Sequence, residues 1–185
     1  MTEKTPHREP EPTLDAAFSD PDATATPWPD ARRELETAGV FWLTSVRPEG
    51  RPHVTPLIGV WLDGAVYFTT GAEERKARNL ALNPHCTVVT GANALDAGLD
   101  VVVEGDAAPV SDRAALGRVA DAYIVKYGRT VTSPEGTFHG LPETVRSGEG
   151  PLVFEVVPRV AFAFAKGKPF GQTRYRFAAR APGDG

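Results

Sequence analysis

Apolar and polar residues alternate along the central part of the chain, a spacing typical of strands. From Val40 the pattern runs through VFWLTSV, a turn at 47–50, HVTPLIGVW, a turn at Asp63-Gly64 and AVYFTT. Asp-Gly between apolar runs is a strong hairpin signal, so these segments predict two consecutive hairpins made of three adjacent antiparallel strands. Pro56 cannot donate to a ladder, which places its strand at an edge, at a bulge or where the backbone faces a ligand.

Further segments extend the antiparallel pattern. Strands are predicted at HCTVVT, over 99–110, at PLVFEVV and RVAFAFA on either side of Pro158, and at the terminal TRYRF. Helices are predicted over 29–38, over about 73–82, and from an N-cap at Ser111 to Gly128. Four aromatic side chains are predicted to lie in the core of the sheet, with the alternative that one of them flanks a planar ring: Phe41, Trp42, Trp61 and Phe68. The pattern predicts a mainly β (α+β) fold, a small antiparallel barrel of six or seven strands with two to three helices.

Composition divides the chain into three parts. Residues 1–28 mix Pro, Glu, Asp and Thr with few large apolar groups, which predicts a disordered leader because such a segment buries too little to offset its ordering entropy. Residues 29–178 form the predicted barrel domain and 179–185 a flexible tail. Within the domain, 129–150 is rich in Gly, Pro, Ser and Thr and is predicted to be a long loop, which is uncommon in a compact domain unless the loop covers a site.

Charge and cysteine content exclude several classes of function. The formal net charge of −4 provides no global basic field for nucleic acid or an anionic membrane. The single cysteine, Cys86, excludes an intrachain disulfide and a thiolate metal cluster. No secretion signal opens the chain, and no apolar run approaches the roughly 20 residues of a membrane helix. We therefore expect a soluble, cytoplasmic protein without nucleic-acid or membrane partners.

The segment VYFTTGAEERKARNLALNP carries the main chemical signal. A strand ends in Thr69 and Thr70, and the following helix opens with Arg75, Lys76 and Arg78. Helix N-termini offer unpaired N–H groups and the positive end of a dipole, so hydroxyls, amides and cations can converge on one phosphate. The alternative is a solvated helix face, on which neighbouring glutamates balance the cations.

The sequence contains no motif that indicates a metal site or another kind of catalytic chemistry. The histidines have no i, i+4 pairing or companion carboxylates at metal-ligand spacing, so no metal site is expected. No serine lies in a GxSxG elbow, and neither GxGxxG nor GxxxxGK[ST] occurs. We therefore predict a phosphorylated cofactor and no side-chain nucleophile.

The order of these segments resembles the pyridoxamine 5'-phosphate oxidase-like family of split β-barrels, which also contains flavin- and deazaflavin-dependent reductases. The resemblance rests on RPEGRPHVTPLIGVW, the Asp-Gly turn, VYFTTG, RKARNLALNP, VVVEGDAAPV and the terminal TRYRF, and it spans about Val40 to Phe177. It implies a homodimer with FMN, or alternatively coenzyme F-420, in a groove between the two subunits.

The resemblance also implies roles for individual residues. Arg75 and Lys76 match the family's Arg-Lys pair on the cofactor phosphate, with Thr69 and Thr70 beside it. The strand residues Thr55, Pro56, Leu57 and Ile58 match the segment whose backbone faces the ring. Arg176 resembles a C-terminal arginine that reaches the flavin, and Asp100 falls where the family often has a polar residue contributed by the other subunit.

Three departures from the family pattern limit what the resemblance implies. The oxidases of vitamin B6 carry Arg and Lys where this chain has Thr55 and Val60, and a terminal Arg-x-His where this chain has no histidine. Oxidation of vitamin B6 is therefore not expected. The family's serine before the Arg-Lys pair is Glu74 here, an anion that would repel a phosphate unless it points away.

The expected function is hydride transfer between the ring of FMN or F-420 and a small organic substrate. Because the coenzyme does the chemistry, no catalytic side chain is assigned. One alternative is a non-catalytic flavin carrier or sensor, or a haem binder on the same barrel with His53, His85 or His139 as the axial ligand. A further alternative is an interaction domain without any cofactor.

Overall fold

The structure, a computed structural model, describes residues 9–132 and 140–179. Its strands are β1 (Pro12–Leu14), β2 (Phe41–Val46), β3 (Pro52–Leu57), β4 (Gly59–Leu62), β5 (Ala65–Thr70), β6 (His85–Thr90), β7 (Leu99–Pro109), β8 (Leu152–Ala165) and β9 (Gly171–Arg176). Its α-helices are α1 (Trp28–Thr37), α2 (Arg75–Leu82), α3 (Arg113–Thr132) and α4 (Leu141–Ser147). The predicted mainly β, antiparallel class is confirmed, with more strands and helices in the described residues than expected.

The sheet is an open, split barrel. Its strand order is β1-β9-β8-β7-β6-β2-β3, and β5 pairs with both β8 and β4. The chain passes from β3 to β4 through Ile58, so this side of the barrel is joined by a bend in the chain and not by a ladder between the described strands. The predicted single strand HVTPLIGVW divides here, because its first half pairs with β2 and its second half with β5. The two hairpins are confirmed, but three adjacent strands are not formed.

Two prolines lie where a strand lacks a neighbour. Pro56 lies in β3, the last strand in the order, which confirms an edge position. Pro158 does not interrupt β8, because it lies between the residues that pair with β5, which end at Val156, and those that pair with β9, which begin at Val160. A missing N–H donor is tolerated at both positions.

The leader is ordered where the structure describes it, so the prediction of disorder is wrong for this part. Pro12 pairs with Tyr175 in an antiparallel ladder between β1 and β9. The Tyr175 hydroxyl donates to the Thr26 carbonyl at 2.7 Å, and the Thr26 N–H donates to the Thr173 hydroxyl at 2.9 Å. The backbone ladder and these two side-chain hydrogen bonds hold a segment whose few apolar residues predicted no order. Residues 1–8 and 180–185 lie outside the described residues.

The helices follow the predicted positions with two corrections. Helix α3 begins after Asp112 and not after Ser111, since the Asp112 carboxylate accepts from the Ala115 N–H at 2.7 Å. Gly128, with φ of 71°, interrupts α3 at the predicted end. The predicted loop over 129–150 contains α4, and residues 133–139 lie outside the described part. No helix in the described part of the chain is long and apolar enough to cross a membrane.

Two apolar clusters form the core. The larger fills the barrel under α1 and α2, and its members include Leu35, Phe41, Leu43, Phe68, Leu80, Val101 and Val156. The smaller packs α3 and α4 against β4 and β5, and it includes Val60, Tyr67, Val119, Tyr123, Leu141 and Val145. Helix α2 is thereby held at the end of β5, where the strand-to-helix signal of the sequence lies.

Candidate functional site

Helix α2 is fixed against strand β2 by a buried hydrogen bond. The side-chain amide of Asn79 donates to the Ser45 hydroxyl at 3.0 Å, and both side chains are buried. The Oδ1 atom of Asn79 is buried and has no hydrogen-bond partner among the described residues. Because this contact lies one turn into α2, it fixes the start of the helix relative to β2 and β3.

A cluster of basic side chains surrounds the start of α2; we call Arg47, His53, Arg75 and Lys76 the cation seat. His53 lies opposite Ser45 in the β2–β3 ladder, on the side toward α2. Partial burial lowers the pKa of His53, and the positive charges of Arg47, Arg75 and Lys76 lower it further. His53 is therefore neutral at pH 7, and its buried Nδ1 has no hydrogen-bond partner in the described chain.

Glu74 points into the cation seat, not away from it. Its carboxylate accepts a hydrogen bond from Lys76 Nζ and another, at 2.8 Å, from the Gly71 N–H. These hydrogen bonds, first that of Lys76 and then that of Gly71, lower the pKa of Glu74, which is therefore ionised at pH 7. Lys76 is buried, whereas Arg75 is exposed and its guanidinium has no ion-pair partner among the described residues. The seat thus holds three cations and one carboxylate.

The two predicted threonines lie on opposite faces of β5. Thr70 is buried, and its hydroxyl interacts with Glu74. Thr69 interacts with Tyr123 of α3, whose hydroxyl donates to the Ile58 carbonyl at 3.3 Å. Successive side chains of a strand alternate between its faces, so only Thr70 reaches the seat.

The strand Thr55–Leu57 gives the site an open backbone edge. Strand β3 pairs with β2 on one side, and no described strand pairs with its other side. The bend that follows it is held at Gly59, whose N–H donates to the Tyr127 hydroxyl and whose carbonyl accepts from Lys126 Nζ, both at 2.9 Å. The edge therefore has unpaired backbone groups on a fixed support.

Asp100 and Arg176 are not brought to the seat within one chain. Asp100, near the start of β7, accepts a hydrogen bond from Lys166 Nζ at 2.9 Å. Arg176 ends β9, towards the opposite end of the strand order from β3, in a cleft that it shares with Glu9 and Glu11.

A second polar cluster lies on the outer face of the sheet; we call it the His85 groove. Its cavity of about 360 Å³ is lined by Thr44, Val46, His85, Cys86, Thr87, Glu104, Gly105, Asp106 and Arg159. His85 Nδ1 lies 2.6 Å from Asp106 Oδ1, and Arg159 Nε and Nη2 lie 2.7 and 2.6 Å from Asp106 Oδ2. Partial burial raises the pKa of Asp106, but these hydrogen bonds bring it below the usual value. Burial raises the pKa of the Cys86 thiol to about 12, so this cysteine is not a nucleophile.

Sequence reasoning missed several residues of both clusters. The turn at 47–50 could have revealed that Arg47 and His53 are neighbours, because a hairpin turn fixes the register of its strands. No comparable signal links His85 to Asp106, since an irregular segment separates β6 from β7. The described residues contain no group of three or more His, Cys, Asp or Glu side chains that could hold a metal ion.

Solved structures show the same fold at low sequence identity. A conserved hypothetical protein of Mycobacterium tuberculosis superposes with a TM-score of 0.62 at 21% identity, over 79% of this chain and 88% of that one. The haem storage protein HutZ of Vibrio cholerae superposes with a TM-score of 0.57 at 19% identity, over 75% of this chain and 94% of that one. A FAD-binding protein of Mesorhizobium loti superposes with a TM-score of 0.55 at 16% identity, over 80% of this chain and 94% of that one.

The sequence itself matches a family more directly. No curated protein sequence gives a match. The family described as pyridoxamine 5'-phosphate oxidase matches residues 28–158, which include β2 to β7, α2 and the whole cation seat. The match covers well over half of the chain, and the split barrel agrees with it. The chain therefore belongs to the pyridoxamine 5'-phosphate oxidase family.

Proposed function

We propose that the protein binds FMN, or alternatively coenzyme F-420, and is an oxidoreductase that transfers a hydride between the coenzyme ring and a small organic substrate. The observation that carries this proposal is the cation seat, in which three cations outnumber one carboxylate beside an open strand edge. Family membership and the FAD-binding relative support a flavin.

The chain's own residues would bind and orient the coenzyme. Arg75, exposed at the first turn of α2, would bind the phosphate together with free amides of the helix start. The backbone from Thr55 to Ile58 would face the ring, where Pro56 leaves one position without a donor. When bound, the coenzyme ring supplies the hydride-transfer chemistry. Positioning is thus the main task of the protein, and no side chain is assigned as a catalytic acid or base.

The substrate is not expected to be phosphorylated vitamin B6. Val60 is 2% exposed and packs in the cluster under α3, so it cannot contact a substrate. Thr55 also lacks the charge needed to bind a second phosphate. The substrate would therefore be recognised by shape and apolar contact more than by charge.

A second copy of the chain would complete the site. Trp42, Val89, Val102 and Phe162 form one cross-strand row on the outer face of the sheet. Trp42 is 50% exposed, contrary to its predicted place in the core, and the other three are partly exposed. An apolar row of this kind suits a homodimer interface. In this arrangement we assign Asp100 and Arg176 to the coenzyme held by the partner copy.

Coenzyme titrations test the proposal. Purified protein is titrated with FMN and, separately, with F-420, and binding is measured by fluorescence; saturable one-to-one binding per chain of either coenzyme is expected. A screen of small organic acceptors then measures hydride transfer. Binding of neither coenzyme would contradict the proposal and favour an interaction domain without a cofactor.

A non-catalytic haem module is the second candidate function. The specific observation is the His85–Asp106 pair, because a carboxylate on Nδ1 orients a histidine so that Nε2 can bind iron. His85 is exposed, and the Vibrio relative is described as a haem storage protein. His53 lies among cations, and His139 is outside the described residues. Haemin titration tests this candidate: a Soret band lost in His85→Ala but kept in His53→Ala supports it, and the absence of a Soret band contradicts it.

A further inference from the structure

Glu74 occupies the place in the cation seat that an anion would take. Its carboxylate accepts from the Gly71 N–H at 2.8 Å and from Lys76 Nζ, and it interacts with the Thr70 hydroxyl. A loop amide, a buried ammonium and a strand-end hydroxyl are the kinds of donor that a terminal phosphate uses. In this chain the Gly71 amide and the Lys76 ammonium already donate to the Glu74 carboxylate, and the Thr70 hydroxyl lies beside it and donates to the Gly71 carbonyl at 3.3 Å.

The charges of the seat are therefore divided unequally. Glu74 is ionised at pH 7, because its pKa is lowered by the hydrogen bonds from Lys76 and Gly71. Lys76 is 8% exposed and is neutralised by this carboxylate. Arg75 is exposed and has no ion-pair partner in the described chain. Of the Arg-Lys pair, only the arginine remains available to an incoming anion.

We infer that Glu74 is a specificity-determining residue that weakens the protein's preference for a flavin with a terminal phosphate over the same flavin without one. Glu74 takes Lys76 out of the seat and repels a dianionic phosphate monoester. Recognition then depends on the ring and its side chain, with Arg75 as the main phosphate contact. This inference rests on the proposed function and states which part of the coenzyme the protein recognises.

The chain offers a matched control for the charge of Glu74. Glu73 is the preceding residue; its side chain is 89% exposed and pairs with Arg78 at 2.5 Å, outside the seat. Glu73→Gln removes one negative charge from the same helix start without touching Lys76 or Gly71. A general effect of net charge would appear in both variants, whereas an effect of the seat would appear only when Glu74 is changed.

The test compares FMN with riboflavin, which has the same ring and no phosphate. Dissociation constants of both flavins are measured by fluorescence quenching for the wild-type protein, Glu74→Gln, Glu74→Ser and Glu73→Gln. We expect the preference for FMN to rise by about tenfold or more in both Glu74 variants, with riboflavin affinity unchanged. Glu73→Gln is expected to behave as wild type. Serine is a favoured N-cap, so Glu74→Ser keeps α2 folded, which circular dichroism verifies.

A second substitution identifies the donor that Glu74 blocks. Lys76→Met keeps the buried aliphatic stem and removes the ammonium. Combined with Glu74→Ser, it is expected to abolish the gain in FMN preference, because Lys76 is the donor that Glu74→Ser releases. A gain that persists without Lys76 would contradict this assignment.

The possible failures are distinguishable. A preference for FMN that stays within about threefold of wild type in both Glu74 variants overturns the inference and leaves the flavin proposal standing. If neither flavin binds to any of the proteins, the flavin proposal fails and the inference fails with it. Riboflavin reports ring binding independently of the phosphate and so separates the two results.

Discussion

Strand β2 separates two polar clusters that differ in their balance of charge. On the side toward α2, the cation seat holds three cations against the single carboxylate of Glu74. On the outer face, the His85 groove sets Arg159 and His85 against two carboxylates, Asp106 and Glu104. A cation already matched by a carboxylate has little left to offer an anionic ligand, so the excess of positive charge, and not the number of cations, is our reason for proposing the phosphate site on the α2 side.

The largest expected effect is the loss of coenzyme binding when the seat is emptied. Arg75→Ala with Lys76→Ala removes two cations and leaves Glu74 without its partner. We expect the affinity for FMN or F-420 to fall by about tenfold to a hundredfold, because the charge-assisted hydrogen bond of Arg75, about 1.5–3 kcal/mol, is lost and the unpaired Glu74 carboxylate repels the phosphate. Fluorescence titration measures the affinity, and circular dichroism verifies that the fold is intact. Unchanged affinity for both coenzymes would contradict the phosphate-site assignment.

A smaller effect is expected from the buried bond between β2 and α2. Ser45→Ala leaves the Asn79 amide without its acceptor, and the free energy of unfolding should fall by about 2 kcal/mol. Thr44→Ala changes the preceding residue, which lies on the outer face, and should lower the free energy of unfolding by less than about 1 kcal/mol. Urea denaturation of the three proteins measures the difference. Equal stability of the two variants would show that the bond does not fix α2.

The His85 groove provides the reciprocal test. Asp106→Ala removes the acceptor of His85 and Arg159, and we expect a loss of about 1 kcal/mol in the free energy of unfolding, because the pair is partly exposed. FMN affinity should be unchanged. If FMN affinity falls to the level of the Arg75/Lys76 variant, the coenzyme lies on the outer face of β2, and its proposed place on the α2 side is contradicted.

The smallest effect concerns the bend that supports the open edge. Burial lowers the pKa of Lys126 from 10.5 to about 8, against a smaller upward effect of Glu36. Between pH 8 and 10.5 the unfolded chain binds more protons at this lysine, so its contribution to stability rises with pH. Relative to Lys126→Met, the wild-type protein should gain less than about 1 kcal/mol between pH 8 and 10, since the side chain is partly exposed. Urea denaturation of both proteins between pH 8 and 10 measures their difference in free energy of unfolding. A difference that does not change with pH would contradict this prediction.

Local patterns predicted the features that depend on neighbouring residues. The Asp-Gly turn and the start of α2 near Arg75 follow from short segments, an edge was one of the three positions predicted for Pro56, and the family resemblance is confirmed by the match over 28–158. The orientation of Glu74 could not be predicted, because a charged residue at a helix start points inward or outward according to what its neighbours donate.

Contacts between segments that are far apart along the chain could not be predicted from the sequence. The pairing of Pro12 with Tyr175 needs a partner strand far along the chain, so composition alone predicted disorder. Helix α4 buries Leu141 and Val145 against α3, too few apolar residues to give a periodic signal. The His85–Asp106 pair depends on the β6–β7 register, which no turn fixes.

The side of β2 on which the coenzyme lies is the central claim, and amide chemical-shift mapping tests it most directly. FMN is added to ¹⁵N-labelled protein, with F-420 as the second ligand, and backbone resonances are followed. We predict shifts at Gly71, Arg75, Thr55 and Leu57, with His85, Thr87 and Asp106 unaffected. Shifts confined to the His85 groove, with the cation seat unchanged, would contradict the account.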